Sequence, residues 1–150
     1  MHPSDPADAP GLALALLRAA EWFDRALLDA LAARGWPRLT RSQSQLFAAL
    51  GPDGASVAEL ARRVGVTRQS MHSAVADLVG HGVLATRSDA RDARAVVVTL
   101  TPRGQQLVRE ALRELGALEQ VLAGRIGQDA VTALRDALAR PWGEPPAPAT

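Results

Sequence analysis

Leu16, Ala20, Phe23, Leu27 and Leu31 recur at intervals of four, three, four and four residues. That period places them on one face of a long first helix ending near Gly35, with Trp36-Pro37 breaking it. A second helix is predicted from Thr40 or Ser42, carrying Leu46, Phe47 and Leu50 and stopping at Gly51-Pro52-Asp53-Gly54. Ser56 followed three residues later by Glu59 has the form of a reciprocal capping box. It opens a short third helix with Leu60 and Val64 inward and Gly65 at its left-handed end. Thr67 caps the next helix, whose buried stripe is Met71, Ala74, Val75 and Leu78, ending at His81-Gly82. Val83 to Arg87 and Ala95 to Leu100 read as strands, and the polar run Ser88 to Arg94 as the loop joining them. Thr101 caps a long helix with Pro102 at its first position, where a missing N–H costs nothing. Val108, Ala111, Leu115, Leu118 and Leu122 then repeat at three and four residues as a core face and apolar seam. A final helix over about 128–139 presents Val131, Leu134 and Leu138.

The expected fold class is mainly α with a small β-hairpin wing, a winged helix-turn-helix. The reading module spans about 40–102 within a domain over 11–140. Residues 1–10 and 141–150, rich in proline and small residues, are expected to be disordered tails. The 150 residues suffice for one domain with its own core. No apolar run is long enough to cross a membrane, and residues 1–10 lack the pattern of a secretory signal, so a cytoplasmic protein is expected. The sequence contains no cysteine, which excludes disulfides and thiolate metal ligands.

The net charge of +1 changes meaning once it is divided. From Arg41 to Arg103 eight arginines face five acids, whereas the remainder has nine arginines and eleven acids. The positive balance therefore lies on the segment that would approach phosphate. A major groove admits one helix, read by the residues near its N-terminus. Opposite the buried stripe of the helix capped by Thr67 stand Arg68, Gln69, Ser70, His72 and Ser73, with Ala76 and Asp77. Arg68 can fork onto guanine and Gln69 onto adenine, while Ser70, His72 and Ser73 can donate to bases or phosphates. Asp77, if it faces DNA, repels phosphate. In the loop, Arg87, Arg91 and Arg94 alternate with acids; an arginine at a hairpin tip can enter a narrow minor groove. Asp92 can brace a neighbouring arginine there.

Leu39-Thr40, the Ser56 to Gly65 segment, Gly82-Val83-Leu84, and above all Asp92-Ala93-Arg94 running into Leu100-Thr101-Pro102-Arg103-Gly104 resemble the MarR family of bacterial transcriptional regulators. The resemblance covers roughly 11–140. It implies a homodimer whose first helix (about 11–35) and last two helices (about 102–140) form the dimerisation layer. Leu16, Phe23, Val108, Leu115, Leu118, Leu122, Val131 and Leu134 fall on those helices. It also implies two reading helices in successive major grooves of a near-palindromic operator, with Arg94 toward the minor groove and Asp92 bracing it. Such proteins typically repress, and often release DNA when a small aromatic or phenolic anion binds between the dimer layer and the winged module. Trp22, Trp36 and Phe47 are the large aromatic candidates for that pocket.

Enzymatic activity is not expected. His2, His72 and His81 share no ligand face, and no nucleophile constellation, glycine-rich phosphate loop or cofactor motif is present. A winged helix used for protein contact is the alternative, and Asp77 on the reading helix suits it.

Overall fold

The computed structural model describes residues 11–88 and 96–146; the expected wing contacts Arg91, Asp92 and Arg94 lie outside the described residues. By its internal contacts the chain divides into one unit over Met1–Leu115 and a second over Gly116–Thr150.

In the first unit, α1 (Leu12–Ala33) leads through Trp36-Pro37 to α2 (Arg41–Ala49). Thr40 begins α2 with a complete capping box: its hydroxyl accepts from the Gln43 N–H, and the Gln43 side chain accepts from the Thr40 N–H. A glycine turn then delivers β1 (Ala55–Ser56) directly into α3 (Val57–Val64). The Ser56 hydroxyl accepts from the Glu59 N–H at 3.2 Å, which is half of the expected box. The reciprocal bond is not formed. Ser56 lies in a strand paired with Val97, and the Glu59 carboxylate turns instead to Arg63 and Arg62. Gly65 ends α3 at φ 77°, and its N–H bonds the Ala61 carbonyl.

Next come α4 (Arg68–Gly80), β2 (Leu84–Ser88) and β3 (Val96–Leu100). The sheet has three antiparallel strands in the order β1-β3-β2, so the expected hairpin gains a short third strand. Leu84 pairs with Leu100 and Ser88 with Val96. Leu46, Leu60, Met71, Leu78, Val83, Leu84, Val98 and Leu107 are buried almost completely, and this core fixes α2, α3, α4 and the sheet. Val64, expected inside, is only half-buried; Ala61 takes the inward position with Leu60.

The helix α5 (Pro102–Ile126) starts from a clasp. Thr101 Oγ1 donates to the Gly82 carbonyl at 2.6 Å and accepts from the Gly104 N–H at 3.0 Å, while the Thr101 N–H bonds the Val83 carbonyl. Gly104 is needed because a Cβ there would stand 2.0 Å from the Val83 carbonyl oxygen.

A polar tie joins the end of α1 to α5. Trp36 Nε1 donates to Glu110 at 2.6 Å, Arg34 pairs with Glu114, and the Arg103 guanidinium lies 5.0 Å over the Trp36 ring. The Trp36 bond, then a bond from Gln106, hold the Glu110 carboxyl below the ordinary glutamate range; Arg113 and Arg34 assist and desolvation opposes. A carboxyl lowered by folding contributes stability that is complete above its unfolded value and is lost as pH falls through the folded one. Acidification below the ordinary glutamate pKa, about 4.3, is therefore expected to lower Tm less steeply in Glu110→Gln than in the wild type. Parallel Tm–pH curves for the two proteins would refute this.

In the second unit, the C-terminal part of α5 is followed by α6 (Gln128–Leu138) after Gly127 at φ 94°. Arg135 on α6 pairs with Glu119 on α5. Among the described residues no helix is long and apolar enough to cross a membrane.

Candidate nucleic-acid interface

The Thr67 hydroxyl accepts from the Ser70 N–H at 3.1 Å and starts α4, as the N-cap pattern requires. Met71, Ala74, Val75 and Leu78 are all buried, holding the helix against α2, α3 and β2. Its other side is open, with Arg68, Gln69, Ser70, His72, Ser73, Ala76 and Asp77 exposed. At roughly 100° per residue, Gln69, Ser73, Ala76 and Gly80 stay within about 30° of the line opposite the buried stripe. Arg68 and His72 lie on one shoulder of that line, Ser70 and Asp77 on the other. Ser70 Oγ is already engaged, accepting from the Thr67 hydroxyl at 2.8 Å. Arg68, Gln69, His72 and Ser73 make no side-chain bond or ion pair among the described residues.

The flanking arginines differ from these. Arg63 pairs with Glu59 and donates to the Ala49 carbonyl at 2.8 Å. Arg87, at the base of the wing, donates to the Asp53 carbonyl at 3.1 Å, so its guanidinium is partly held by the turn before β1. Nothing in the sequence around Arg87 signals that link, which spans 34 residues.

The aromatic candidates do not gather into one pocket. Trp22 and Phe23 meet edge to face at 4.8 Å and 87°, and Trp22 borders an open recess with Arg18 and Arg25. Trp36 is committed to Glu110 and Arg103, because its N–H requires a partner when half-buried, and it does not line the apolar cleft beside it. Phe47 does line it. This cleft, about 220 Å³, opens between Leu27 and Leu31 of α1, Phe47 of α2, and Leu107 and Ala111 of α5. Val108 and Leu115, expected on a dimer seam, also face it.

The remaining seam residues vary in what they leave free. Leu16 and Phe23 are half-buried, as are Leu118 and Leu122. Leu134 is exposed. Val131 is buried at 5% exposure within the single chain, so it has little surface left to offer a partner. The N-terminal half of α1 instead leaves Leu12, Leu14 and Leu17 in solvent, at up to 69% exposure. Among the described residues no three His, Cys, Asp or Glu side chains converge as a metal site would require.

A capped helix-turn-helix packed on a three-stranded wing, with the outer face of its second helix free, defines a winged helix-turn-helix protein. Residues 39–95 match the sequence profile of the MarR family. The transcriptional regulator AdcR of Streptococcus pneumoniae serotype 2 is 32% identical over 72 residues, 48% of this chain and 49% of the relative. The chain thus aligns with about half the length of that curated relative. A MarR family protein of Mycobacterium tuberculosis, solved in complex with salicylic acid, is 27% identical over 88% of this chain and 96% of its own, with a TM-score of 0.66. The apo form of MarR from E. coli shares the fold at a TM-score of 0.73 and 21% identity, covering 87% of this chain and 96% of that one. Over residues 39–95 the chain is similar to the MarR family, and over most of its length it shares the fold of solved MarR-family regulators.

Proposed function

We propose that this protein is a sequence-specific DNA-binding transcriptional regulator. It acts as a homodimer on a near-palindromic operator, as a repressor released by a small effector. The observation that carries this reading is the open face of α4. Four polar side chains there have no partner among the described residues, on a helix held rigidly from behind by four buried ones. Base edges and phosphates would employ these four side chains, whereas Asp77, exposed on the shoulder beside Ser70, serves no phosphate contact. Gln69 and Ser73, on the central line, face base edges. Arg68 reaches from the shoulder and His72 contacts the backbone; of the wing arginines, Arg87 and Arg91 would contact DNA, and Arg94 would approach the minor groove with Asp92 as its brace. The salicylic acid held by the Mycobacterium tuberculosis relative supports an effector for this chain too.

Dimerisation would cover the apolar residues that α1 leaves exposed. Leu17, at 63% exposure, lies outside the buried core, so Leu17→Asp tests the interface without opening that core. The variant is expected to fold, but with a Tm that is lower and no longer rises with protein concentration, since a partner that binds only the folded chain stabilises it by mass action. It should sediment as a monomer and bind duplex DNA at least 100-fold more weakly, because joining two half-sites multiplies affinity through effective concentration. A dimer with unchanged DNA affinity, by light scattering and fluorescence anisotropy, would remove α1 from the interface.

A further inference from the structure

Taking the effector reading above as its premise, we infer that the cleft between α1, α2 and α5 takes an uncharged, apolar ligand about the size of two fused rings, and not an organic anion. Ten of its eleven lining residues are apolar, and Ser44 is the exception. No charged side chain lines it. Of the arginines on its elements, Arg34 pairs with Glu114, Arg41 lies 3.6 Å from Asp24, and Arg113 lies 4.0 Å from Glu110, while Arg38, next to Leu39, borders a separate recess with Arg25 and Asp29. A carboxylate entering the cleft would lose its water and find neither a cation nor a cluster of donors in exchange, an unfavourable transfer. The backbone offers little more, because the lining residues other than Leu39 lie in helices, where N–H and C=O groups are already bonded.

Size sets the second limit. An apolar cavity of about 150 Å³ holds one benzene ring. The cleft, at about 220 Å³, leaves room for a second fused ring. Its single polar handle is the Ser44 hydroxyl, which forms no hydrogen bond among the described residues and stands ready to accept from one N–H or O–H of the ligand. Leu112, at 63% exposure, marks the open side through which a ligand would enter. The ligand class is therefore a neutral bicyclic hydrophobe with one hydrogen-bond donor.

Indole is the test molecule, with 1-methylindole, which lacks the donor, and salicylate as comparisons. Each is titrated into the 150-residue chain by calorimetry and followed by thermal unfolding. Indole is expected to bind saturably and to raise Tm by roughly 3–6 °C at ten times its Kd; salicylate at equal concentration should leave Tm unchanged. Ala111→Leu, which fills the cleft, should weaken indole at least ten-fold. If that variant does not fold, Ser44→Ala carries the test: it should weaken indole about five-fold and leave 1-methylindole as it was. Tighter binding of salicylate than of indole overturns the inference. So does absence of indole binding, and so does indole binding that neither substitution alters. Duplex affinity is measured separately. A chain that binds indole but no duplex keeps this pocket assignment and loses the regulator reading; one that binds duplex but not indole does the reverse.

Discussion

Gly104→Ala is expected to destabilise the protein by about 3 kcal/mol or more, whereas Gly116→Ala in the same helix is expected to be neutral or mildly stabilising. The two glycines share a helical backbone and differ in what a methyl group would meet. At Gly104 the added Cβ stands 2.0 Å from the Val83 carbonyl oxygen and 3.0 Å from its carbon. Both obstacles are backbone, and Val83 is fixed on either side, since its carbonyl accepts from Thr101 and its N–H donates to Leu78. No rotamer change relieves that overlap, so α5 must lift from the sheet; overpacking of a tight core costs about 1–3 kcal/mol, occasionally more. For a chain of this size that corresponds to a fall in Tm of roughly 6–12 °C. At Gly116 nothing lies within 4 Å, and replacing an unobstructed helical glycine by alanine gains about 0.5–1 kcal/mol from backbone entropy. Equal Tm values for the two variants would show that the α5 clasp does not set the height of the helix over the wing.

Arg68→Ala combined with Gln69→Ala should lower affinity for the preferred duplex by two to four orders of magnitude while leaving Tm nearly unchanged. Both residues are exposed at the N-terminal end of α4, and neither contributes to the buried stripe. A bidentate side chain discriminates its base by about 1–3 kcal/mol. In a symmetric dimer each substitution enters twice, which brings the loss to roughly 3–6 kcal/mol even with incomplete additivity. Binding to unrelated duplex should fall much less, because that mode rests on phosphate contacts and counterion release. Fluorescence anisotropy at a fixed salt concentration separates the two. A parallel fall on both duplexes would make these residues phosphate contacts rather than readers.

The helix α4 is legible in the sequence because everything that specifies it is local. Thr67 and the spacing of Met71, Ala74, Val75 and Leu78 suffice to fix the start, the phase and therefore the outward face. The α5 clasp was half legible: Thr101-Pro102 announces the cap, but only the fold shows that Gly104 is there for the Val83 carbonyl. The strand β1 was missed, since two residues carry no period, and its pairing with Val97 and Val98 is long-range. That pairing also explains why the Ser56 box closes on one side only. Trp36 illustrates the same limit. Its sequence suggests a pocket wall, whereas Glu110, 74 residues away, turns it into a tie between helices. The apolar cleft has no local signature at all, because it exists only where three helices distant in sequence converge.

The outer face of α4 either reads duplex DNA or leaves this protein without the proposed role. Selecting bound fragments from a random duplex pool with the 150-residue chain addresses this directly. Enrichment of a two-fold symmetric motif, with half-site centres about one helical turn, 10–10.5 base pairs, apart, is the predicted result. A pool that stays random through successive rounds, with retention that ignores salt, would contradict it.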